Sequence, residues 1–280
     1  MAKLRIATCQ FAISGNIRRN ATQIKRQIAQ AKKQRAQVVH LPEAALSGYA
    51  GVDVESWDGY DWDTLRRETE AICDLAAKSK VWVILGSAHP LSGRHKPHNC
   101  LYVINADGQI VDRYDKCFCT GADLKHYSPG DHLVTLDIHG VRCGLLICYD
   151  LRFPELYRAY RKQGVECLFD SFYNARATGP GIHTIIMRPT LQAHAATNYF
   201  WISANNASGH YQSWQSVFIQ PDGVIARSLK RNQAGVMVNT VDTDLALYDA
   251  SKPYRDRAMK GNLHSGTLVK DARSRDRQGL

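Results

Sequence analysis

The sequence predicts an α/β fold in which two stacked sheets carry helices on their outer faces. Short apolar, strand-like runs alternate with longer amphipathic segments, for example 38–41 and 63–80. Two further segments, 101–114 and 216–228, place apolar residues on both sides of an Asp-Gly pair, which indicates hairpins. Mixed sheets of this kind need an apolar cover on each outer face, so helices are expected on both sides. The two hairpins look like corresponding pieces of two halves.

The elements of the first half follow from their patterns. Apolar, β-branched runs predict strands over 4–9, 38–41 and 81–88. Segments with one apolar and one polar face predict helices over 20–34 and 63–80. The first hairpin completes this half.

The second half is predicted to repeat this order. Strands are expected over 141–148, 167–172 and 201–204, and helices over 154–163 and 182–198. The second hairpin follows the last of these strands. A hydrophobic content of 44% over 280 residues is ample for a core. We expect a single domain over 1–265 and a basic polar tail over 266–280.

The net charge of +10 raises the question of a nucleic-acid partner. Many basic residues between 18 and 35 fall on the polar face of the first predicted helix, without interleaved aromatic residues or a nucleic-acid motif. A solvated helix face explains them better, so no nucleic-acid partner is expected. The longest apolar runs, such as 81–85, are too short to cross a bilayer, and no secretory pattern opens the chain.

The eight cysteines show no C-x-x-C spacing. This pattern predicts a reducing, cytoplasmic environment and no metal site. No membrane partner is expected either.

Cys148 ends the apolar run 141–148 and stands where a strand is predicted to break into a helix. Peptide N–H groups that open a helix stabilise negative charge, so this corner is suited to lowering the pKa of a thiol and binding an oxyanion. Taken alone, the residue is better explained as a buried structural cysteine.

Two other predicted strands end in groups of complementary chemistry. Glu43 follows the strand 38–41 and is a candidate general base, while Lys116 follows 109–115 and is suited to balancing oxyanion charge. Each has a commoner explanation as a solvated surface residue. All three candidate groups follow strands, so they can share one rim of a sandwich.

These segments together resemble the Glu-Lys-Cys signature of the nitrilase superfamily of carbon–nitrogen hydrolases. The residues that carry the resemblance are Leu41-Pro42-Glu43, Asp115-Lys116 and the run 147–155, Ile-Cys-Tyr-Asp-Leu-Arg-Phe-Pro-Glu. The resemblance implies a four-layer αββα sandwich that pairs into a homodimer or a higher homo-oligomer. It also implies a hydrolase of non-peptide carbon–nitrogen bonds that needs no cofactor.

By this resemblance, Cys148 attacks the carbon of an amide, carbamoyl or nitrile group. Glu43 accepts the thiol proton and later activates water, while Lys116 and the backbone N–H of Tyr149 hold the oxyanion. Covalent catalysis of this kind forms an acyl-enzyme and passes through an oxyanion in both of its steps. A carboxylate close to a lysine stays ionised, so Glu43 needs desolvation to act as a base.

Two departures from the family pattern stand out. The family carries a second glutamate where this chain has Asp123, whose side chain is one methylene shorter. Asp123 either orients Lys116 or substrate, or is a loop acid outside the site. Thr197 lies in a helix, 191–198, where relatives commonly carry Arg and Glu, which weakens any transfer of substrate preference.

Four residues are predicted to contact substrate, because they follow strand ends on the same rim: Tyr49, Tyr149, Asn174 and Arg176. Arg176 is suited to clamping a substrate carboxylate, although a solvated loop arginine is the commoner explanation of such a residue. The elbow after Cys148 resembles the amidase side of the superfamily. We therefore expect a cysteine-dependent amidase acting on a small linear amide or N-carbamoyl compound, with nitrile hydrolysis or a catalytically weak, ligand-binding relative as alternatives.

Overall fold

The structure, a computed structural model, describes residues 2–174, 181–209 and 211–279. Residues 2–248 form one compact unit, and residues 249–279 belong to a second, much smaller one. The smaller unit contains the short helices α5 (Arg255–Met259) and α6 (Ala272–Arg275) by the numbering used below. In the described part of the chain, no helix combines the length and apolarity needed to cross a membrane.

The larger unit consists of two halves. The first half contains β1 (Lys3–Gln10), α1 (Ile17–Lys33), β2 (Val38–His40), α2 (Trp62–Ser79), β3 (Trp82–His89), β4 (His98–Ile104) and β5 (Ile110–Asp115). The second half contains β6 (Thr135–Ile138), β7 (Val141–Ile147), α3 (Pro154–Lys162), β8 (Cys167–Ser171), α4 (Ile182–Asn198), β9 (Trp201–Asn205), β10 (Val217–Ile219) and β11 (Ile225–Ser228). The last strand, β12 (Gly235–Asp242), returns to the first half.

The two sheets have the same topology. The first has the strand order β12-β1-β2-β3-β4-β5, and the second the order β6-β7-β8-β9-β10-β11. In each sheet three neighbouring strands are parallel, an antiparallel strand lies on one side of them, and an antiparallel hairpin lies on the other. The two predicted hairpins therefore occupy equivalent positions in the two sheets.

Apolar layers hold the sandwich together. One buried cluster joins residues of both sheets with α3 and α4, for example Ile6, Leu145 and Leu191. A second cluster packs α1 and α2 against the outer face of the first sheet, through residues such as Ile28 and Ile72. The predicted αββα sandwich is confirmed.

Most predicted elements are present within a few residues of their expected ends. Helix α1 begins earlier than predicted, because Asn16 caps it by accepting a hydrogen bond from the backbone N–H of Arg19. Both Asp-Gly turns form, with Gly108 and Gly223 at positive φ. Strands β6 and β12 were not predicted, and both complete a sheet by pairing antiparallel with the first parallel strand of that sheet.

Candidate active site

Glu43 lies just beyond the end of β2 and is fully buried. The backbone just before Glu43 lies very close to β3. A Cβ added to Gly86 of β3 would lie only 2.0 Å from the carbonyl oxygen of Pro42. Glycine at position 86 is thus what allows the segment that carries Glu43 to approach the sheet.

Three donors hold the Glu43 carboxylate. Oε1 accepts hydrogen bonds from Asn99 Nδ2 at 2.7 Å and from Lys116 Nζ at 2.9 Å, and Oε2 accepts one from the backbone N–H of Tyr173 at 2.9 Å. Burial raises the pKa of Glu43, and the charge of Lys116 opposes that rise. The desolvation that a Glu43 base would need is therefore present.

Lys116 follows β5 directly and is also fully buried. Its Nζ donates to Glu43 Oε1 and to Asp123 Oδ2, both at 2.9 Å. Burial alone would lower the pKa of Lys116, but the negative charge of Glu43, with that of Asp123, raises it well above its ordinary value. The lysine is therefore a buried cation fixed between two carboxylates.

Asp123 begins a short 3₁₀ turn, Asp123–Lys125, and is nearly fully buried. Besides Lys116, its carboxylate accepts hydrogen bonds from the backbone N–H of Thr120 at 2.9 Å and from the hydroxyl of Tyr49. Burial raises the pKa of Asp123, but Lys116 and these donors outweigh burial and hold it below the ordinary value. Of the two readings of Asp123, the geometry supports the one in which it orients Lys116.

Cys148 stands at the corner between β7 and the 3₁₀ turn Cys148–Arg152, with its backbone at a φ of +48°. Left-handed backbone is unfavourable for a residue with a side chain, so the surrounding structure must hold it in place. The side chain is half-buried and packs against the large apolar cluster.

The buried carboxylate of Asp150 fixes this corner. It accepts hydrogen bonds from the backbone N–H groups of Ile147 at 3.0 Å and Phe118 at 2.8 Å, and from the hydroxyl of Tyr114 at 2.8 Å. Burial raises the pKa of Asp150 to about 6. Because Phe118 is two residues beyond Lys116, this one side chain ties the cysteine corner to the lysine loop.

The expectation of a lowered cysteine pKa is wrong. Burial raises the pKa of Cys148 well above its ordinary value, and the negative charge of Glu43 raises it further. The charge of Lys116 lowers the pKa of Cys148 in part, and the negative charge of Asp123 raises it again. The environment of Cys148 therefore favours the neutral thiol over the thiolate.

The residues predicted to contact substrate have different positions. Tyr49 contacts the group of buried charged residues, because its hydroxyl donates a hydrogen bond to the carboxylate of Asp123. Its ring stacks on that of Tyr173 at a centroid distance of 5.2 Å. The exposed ring of Tyr149 packs edge-on against Phe153.

Asn174 lies just beyond Tyr173 and is half-buried. Its Oδ1 accepts a hydrogen bond from Asn206 Nδ2 at 3.1 Å. Arg176 lies outside the described residues.

Sequence reasoning missed three side chains or backbone groups that shape the site. They are Asn99, the N–H of Tyr173 and the Asp150 carboxylate. Asp150 stands inside the cysteine motif, so its position was a usable signal. Asn99 comes from β4 and Tyr173 follows β8, and no local pattern marks either of them.

Fold and site together define an enzyme with a thiol, a buried carboxylate and a buried cation at one rim of an αββα sandwich. A model of the carbon–nitrogen hydrolase family matches residues 5–250. The chain therefore belongs to the carbon–nitrogen hydrolase family, and it is a hydrolase of carbon–nitrogen bonds. The resemblance to the nitrilase superfamily is confirmed.

Two curated relatives have names that specify an amide. A deaminated glutathione amidase of Yersinia enterocolitica is 28% identical over 271 residues, covering 84% of this chain and 89% of the relative. An omega-amidase of Mus musculus is 28% identical over 240 residues, covering 80% and 84% of the two chains.

Solved structures show the same fold. A crystal structure of an amidase from Nesterenkonia sp. has a TM-score of 0.78 at 21% identity, and the match covers 93% of this chain and 96% of that one. Further structures of that amidase contain butyramide in a cysteine-to-alanine mutant, and an acetamide moiety added covalently at the active site cysteine in another mutant.

Proposed function

We propose that this protein is a cysteine-dependent amidase that hydrolyses a small linear amide or N-carbamoyl compound through an acyl-enzyme on Cys148. The observation that carries the proposal is the buried Lys116, which is held between the carboxylates of Glu43 and Asp123. The charges of these three residues all act on the pKa of the Cys148 thiol. A neutral thiol beside a desolvated carboxylate and a fixed cation is the arrangement that amide acylation requires.

In the acylation step, Glu43 takes the proton of the Cys148 thiol as sulfur attacks the carbonyl carbon of the substrate. Burial has already raised the proton affinity of Glu43, which favours this transfer. The carbonyl π bond breaks and its electron pair forms an oxyanion. When the tetrahedral intermediate collapses, Glu43 returns the proton to the departing nitrogen, which leaves as ammonia or an amine.

In the deacylation step, Glu43 takes a proton from water, and the resulting oxygen nucleophile attacks the thioester carbon. A second oxyanion forms and collapses, the carbon–sulfur bond breaks, and Cys148 regains its proton. The carboxylic acid then leaves, so one water is consumed and the enzyme is regenerated. The same carboxylate serves both steps.

The oxyanion is stabilised by Lys116 and by the backbone N–H of Tyr149. Lys116 remains protonated because its two carboxylate partners raise its pKa. The N–H of Tyr149 is in the first turn of the 3₁₀ segment that Cys148 opens, where peptide N–H groups lack an acceptor within the helix. Donors fixed before the reaction stabilise developing charge without having to reorganise.

Substrate contacts are assigned by position. Tyr49 stands beside Asp123 and Tyr173, and Asn174 follows the same strand end, which supports the proposal that these two side chains contact the substrate. Arg176 stays a predicted clamp for a substrate carboxylate. The homodimer and the cytoplasmic location likewise remain predictions.

The relatives support an amide rather than a nitrile. Two curated relatives are named as amidases, and the Nesterenkonia amidase binds butyramide. The ligand-binding alternative depended on Asp123 and Thr197 as departures from the family pattern. Asp123 contacts Lys116, and Thr197 is an exposed helix residue whose hydroxyl donates to Ala193 O, so neither departure removes a group from the catalytic cluster.

A substrate panel tests this proposal. Ammonia release is measured with aliphatic amides, monoamides of dicarboxylates, N-carbamoyl amines and nitriles, using the wild type and Cys148→Ala. We expect release from at least one amide or N-carbamoyl compound and none with Cys148→Ala. Turnover of nitriles alone would replace the amidase by a nitrilase, and turnover that survives in Cys148→Ala would refute the cysteine mechanism.

A further inference from the structure

We propose that His40 is a positioning residue, which joins the two sheets beneath the candidate active site and so fixes Glu43 of the first sheet relative to Cys148 of the second. The inference rests on the proposed function, because it concerns the geometry of that reaction.

His40 is the last residue of β2 and is fully buried, three positions before Glu43. Its Nε2 lies 2.8 Å from Ser171 Oγ, at the end of β8, and its Nδ1 lies 2.9 Å from Ser203 Oγ in β9. Strand β2 belongs to the first sheet, and β8 and β9 belong to the second. The imidazole ring therefore spans the interface between the sheets.

The neighbouring hydroxyls allow one consistent assignment of the protons. Ser171 Oγ donates to the carbonyl of Leu41 at 3.0 Å, so it accepts from a protonated His40 Nε2. Nδ1 then accepts from the Ser203 hydroxyl, which in turn accepts from Thr8 Oγ1 at 2.8 Å. The tautomer follows from the network and not from observed hydrogens. The hydrogen bonds link Thr8, Ser203, His40, Ser171 and the carbonyl of Leu41 in that order, so each of them joins the first half of the sandwich to the second.

This assignment requires a neutral ring. Burial lowers the pKa of His40 to about 3, so the ring carries no charge at neutral pH. The ring also meets Phe169 edge-on, at a centroid distance of 5.2 Å. His40 is thus a buried polar group whose two ring nitrogens both have hydrogen-bond partners.

The residues that follow β2 and β8 also hold Glu43 and lie next to Cys148. Ser171 binds the carbonyl of Leu41, and two residues later the N–H of Tyr173 binds Glu43 Oε2 at 2.9 Å. The backbone of Tyr173 also lowers the pKa of Cys148, partly offsetting burial, so it lies against the thiol. The segment from Leu41 to Glu43 is therefore attached at both ends to the residues that close β8.

A polar link serves this purpose better than apolar packing. Apolar faces tolerate a sliding displacement, whereas hydrogen bonds in a buried, low-dielectric interface are directional and costly to break. A misplacement of about 1 Å can cost roughly a hundredfold in rate. A second link lies nearby, where Asn205 Nδ2 of β9 donates to Cys9 O of β1 at 3.0 Å. Asn205 Nδ2 also donates to the backbone carbonyl of His40, so the His40 side chain differs from this link in its bond to Ser171 at the end of β8.

The test uses His40→Phe/Ser171→Ala/Ser203→Ala, which replaces the polar link by apolar groups and so avoids leaving the two serine hydroxyls buried without their partner. His40→Gln keeps one donor and one acceptor and serves as the rescue variant. Ile72→Ala in α2 is the matched control, because it opens a cavity in the apolar layer that covers the outer face of the first sheet and removes none of the hydrogen bonds of the link. For each protein, kcat, KM, the pH profile of kcat/KM and urea unfolding are measured.

We expect the triple variant to fold, with kcat reduced about tenfold to a hundredfold and KM changed less. Without the link, the segment after β8 should move away from Glu43, which then loses its hydrogen bond from the N–H of Tyr173. The pKa of Glu43 should rise as a result, so the acid limb of the pH profile should move to higher pH. His40→Gln should recover part of both effects. Ile72→Ala should lose stability and retain the wild-type kcat and acid limb.

The inference fails if the triple variant keeps the wild-type kcat and acid limb, or if Ile72→Ala reproduces both changes at an equal loss of stability. If the triple variant does not fold, Ser171→Ala decides the question, because it removes the bond from His40 Nε2 and the bond to Leu41 O and leaves the bond between His40 Nδ1 and Ser203 in place. An unchanged kcat and acid limb in Ser171→Ala would then overturn the inference. Absence of Cys148-dependent turnover in the wild type would instead refute the proposed function itself.

Discussion

Asp123 binds Lys116 directly, with Oδ2 at 2.9 Å from Nζ. The shorter aspartate reaches the lysine because the 3₁₀ turn Asp123–Lys125 presents it from close range, with Thr120 and Tyr49 holding its two oxygens. Lys116 is therefore shared between two carboxylates. The consequences for Cys148 and for the rate can be tested separately.

Asp123→Asn should lower kcat/KM by about tenfold to a hundredfold, because Lys116 loses one of the two groups that fix its position. Asp123→Glu should also be less active than the wild type, since an added methylene must enter a site with almost no free surface. Steady-state kinetics of both variants measure this. Equal or higher activity of Asp123→Glu would mean that aspartate is a shortened and suboptimal carboxylate here.

Glu43→Gln should abolish turnover and at the same time lower the pKa of the Cys148 thiol. A neighbouring negative charge disfavours the thiolate, so removing the charge of Glu43 removes one cause of the raised pKa. Alkylation of Cys148 by iodoacetamide as a function of pH measures the titration in both proteins. An alkylation profile that stays in place or moves to higher pH would contradict this account.

Gly86→Ala should destabilise the protein and reduce activity strongly, because the new Cβ would lie 2.0 Å from Pro42 O, next to Glu43. Gly121→Ala is a suitable control, since a Cβ at that position meets nothing within 4 Å. Urea unfolding and kcat/KM of the two variants are compared. Near-wild-type activity of Gly86→Ala would show that the segment after β2 can move without loss.

The free energy of unfolding should fall at mildly acidic pH, because His40 is buried in its neutral form. Its folded pKa is lowered to about 3 from an ordinary 6.5, so the unfolded chain binds the proton first as the pH falls. The loss begins near pH 6.5 and continues toward pH 3, at about 1.4 kcal/mol per pH unit. Urea unfolding of the wild type and His40→Gln between pH 7.5 and 4.5 checks this. A stability difference between them that does not change with pH would contradict the prediction.

The sequence predicted the rim that holds Glu43, Lys116 and Cys148, because each residue lies no more than three positions beyond the end of a strand and the strand ends meet at one side of the sandwich. It could not predict the donors Asn99 and Tyr173. Their positions depend on the register between β3 and β4 and on how one sheet lies against the other, which are long-range properties.

The same limit applies to the cysteine pKa and to β12. The local pattern at Cys148 indicated a thiol at a helix start, but burial and the approach of Glu43 from the other sheet reverse the direction of the shift. Strand β12 alternates in burial along its length, yet its partner β1 lies at the opposite end of the chain. Local patterns specify elements well and their tertiary partners poorly.

The most direct test of the central claim is acid-quenched intact-mass spectrometry during turnover of an amide that the panel identifies. The account predicts a transient mass increase equal to the acyl group, located on the peptide that contains Cys148 and missing in Cys148→Ala. Ammonia release at the wild-type rate without any adduct, or an adduct on another residue, would contradict it.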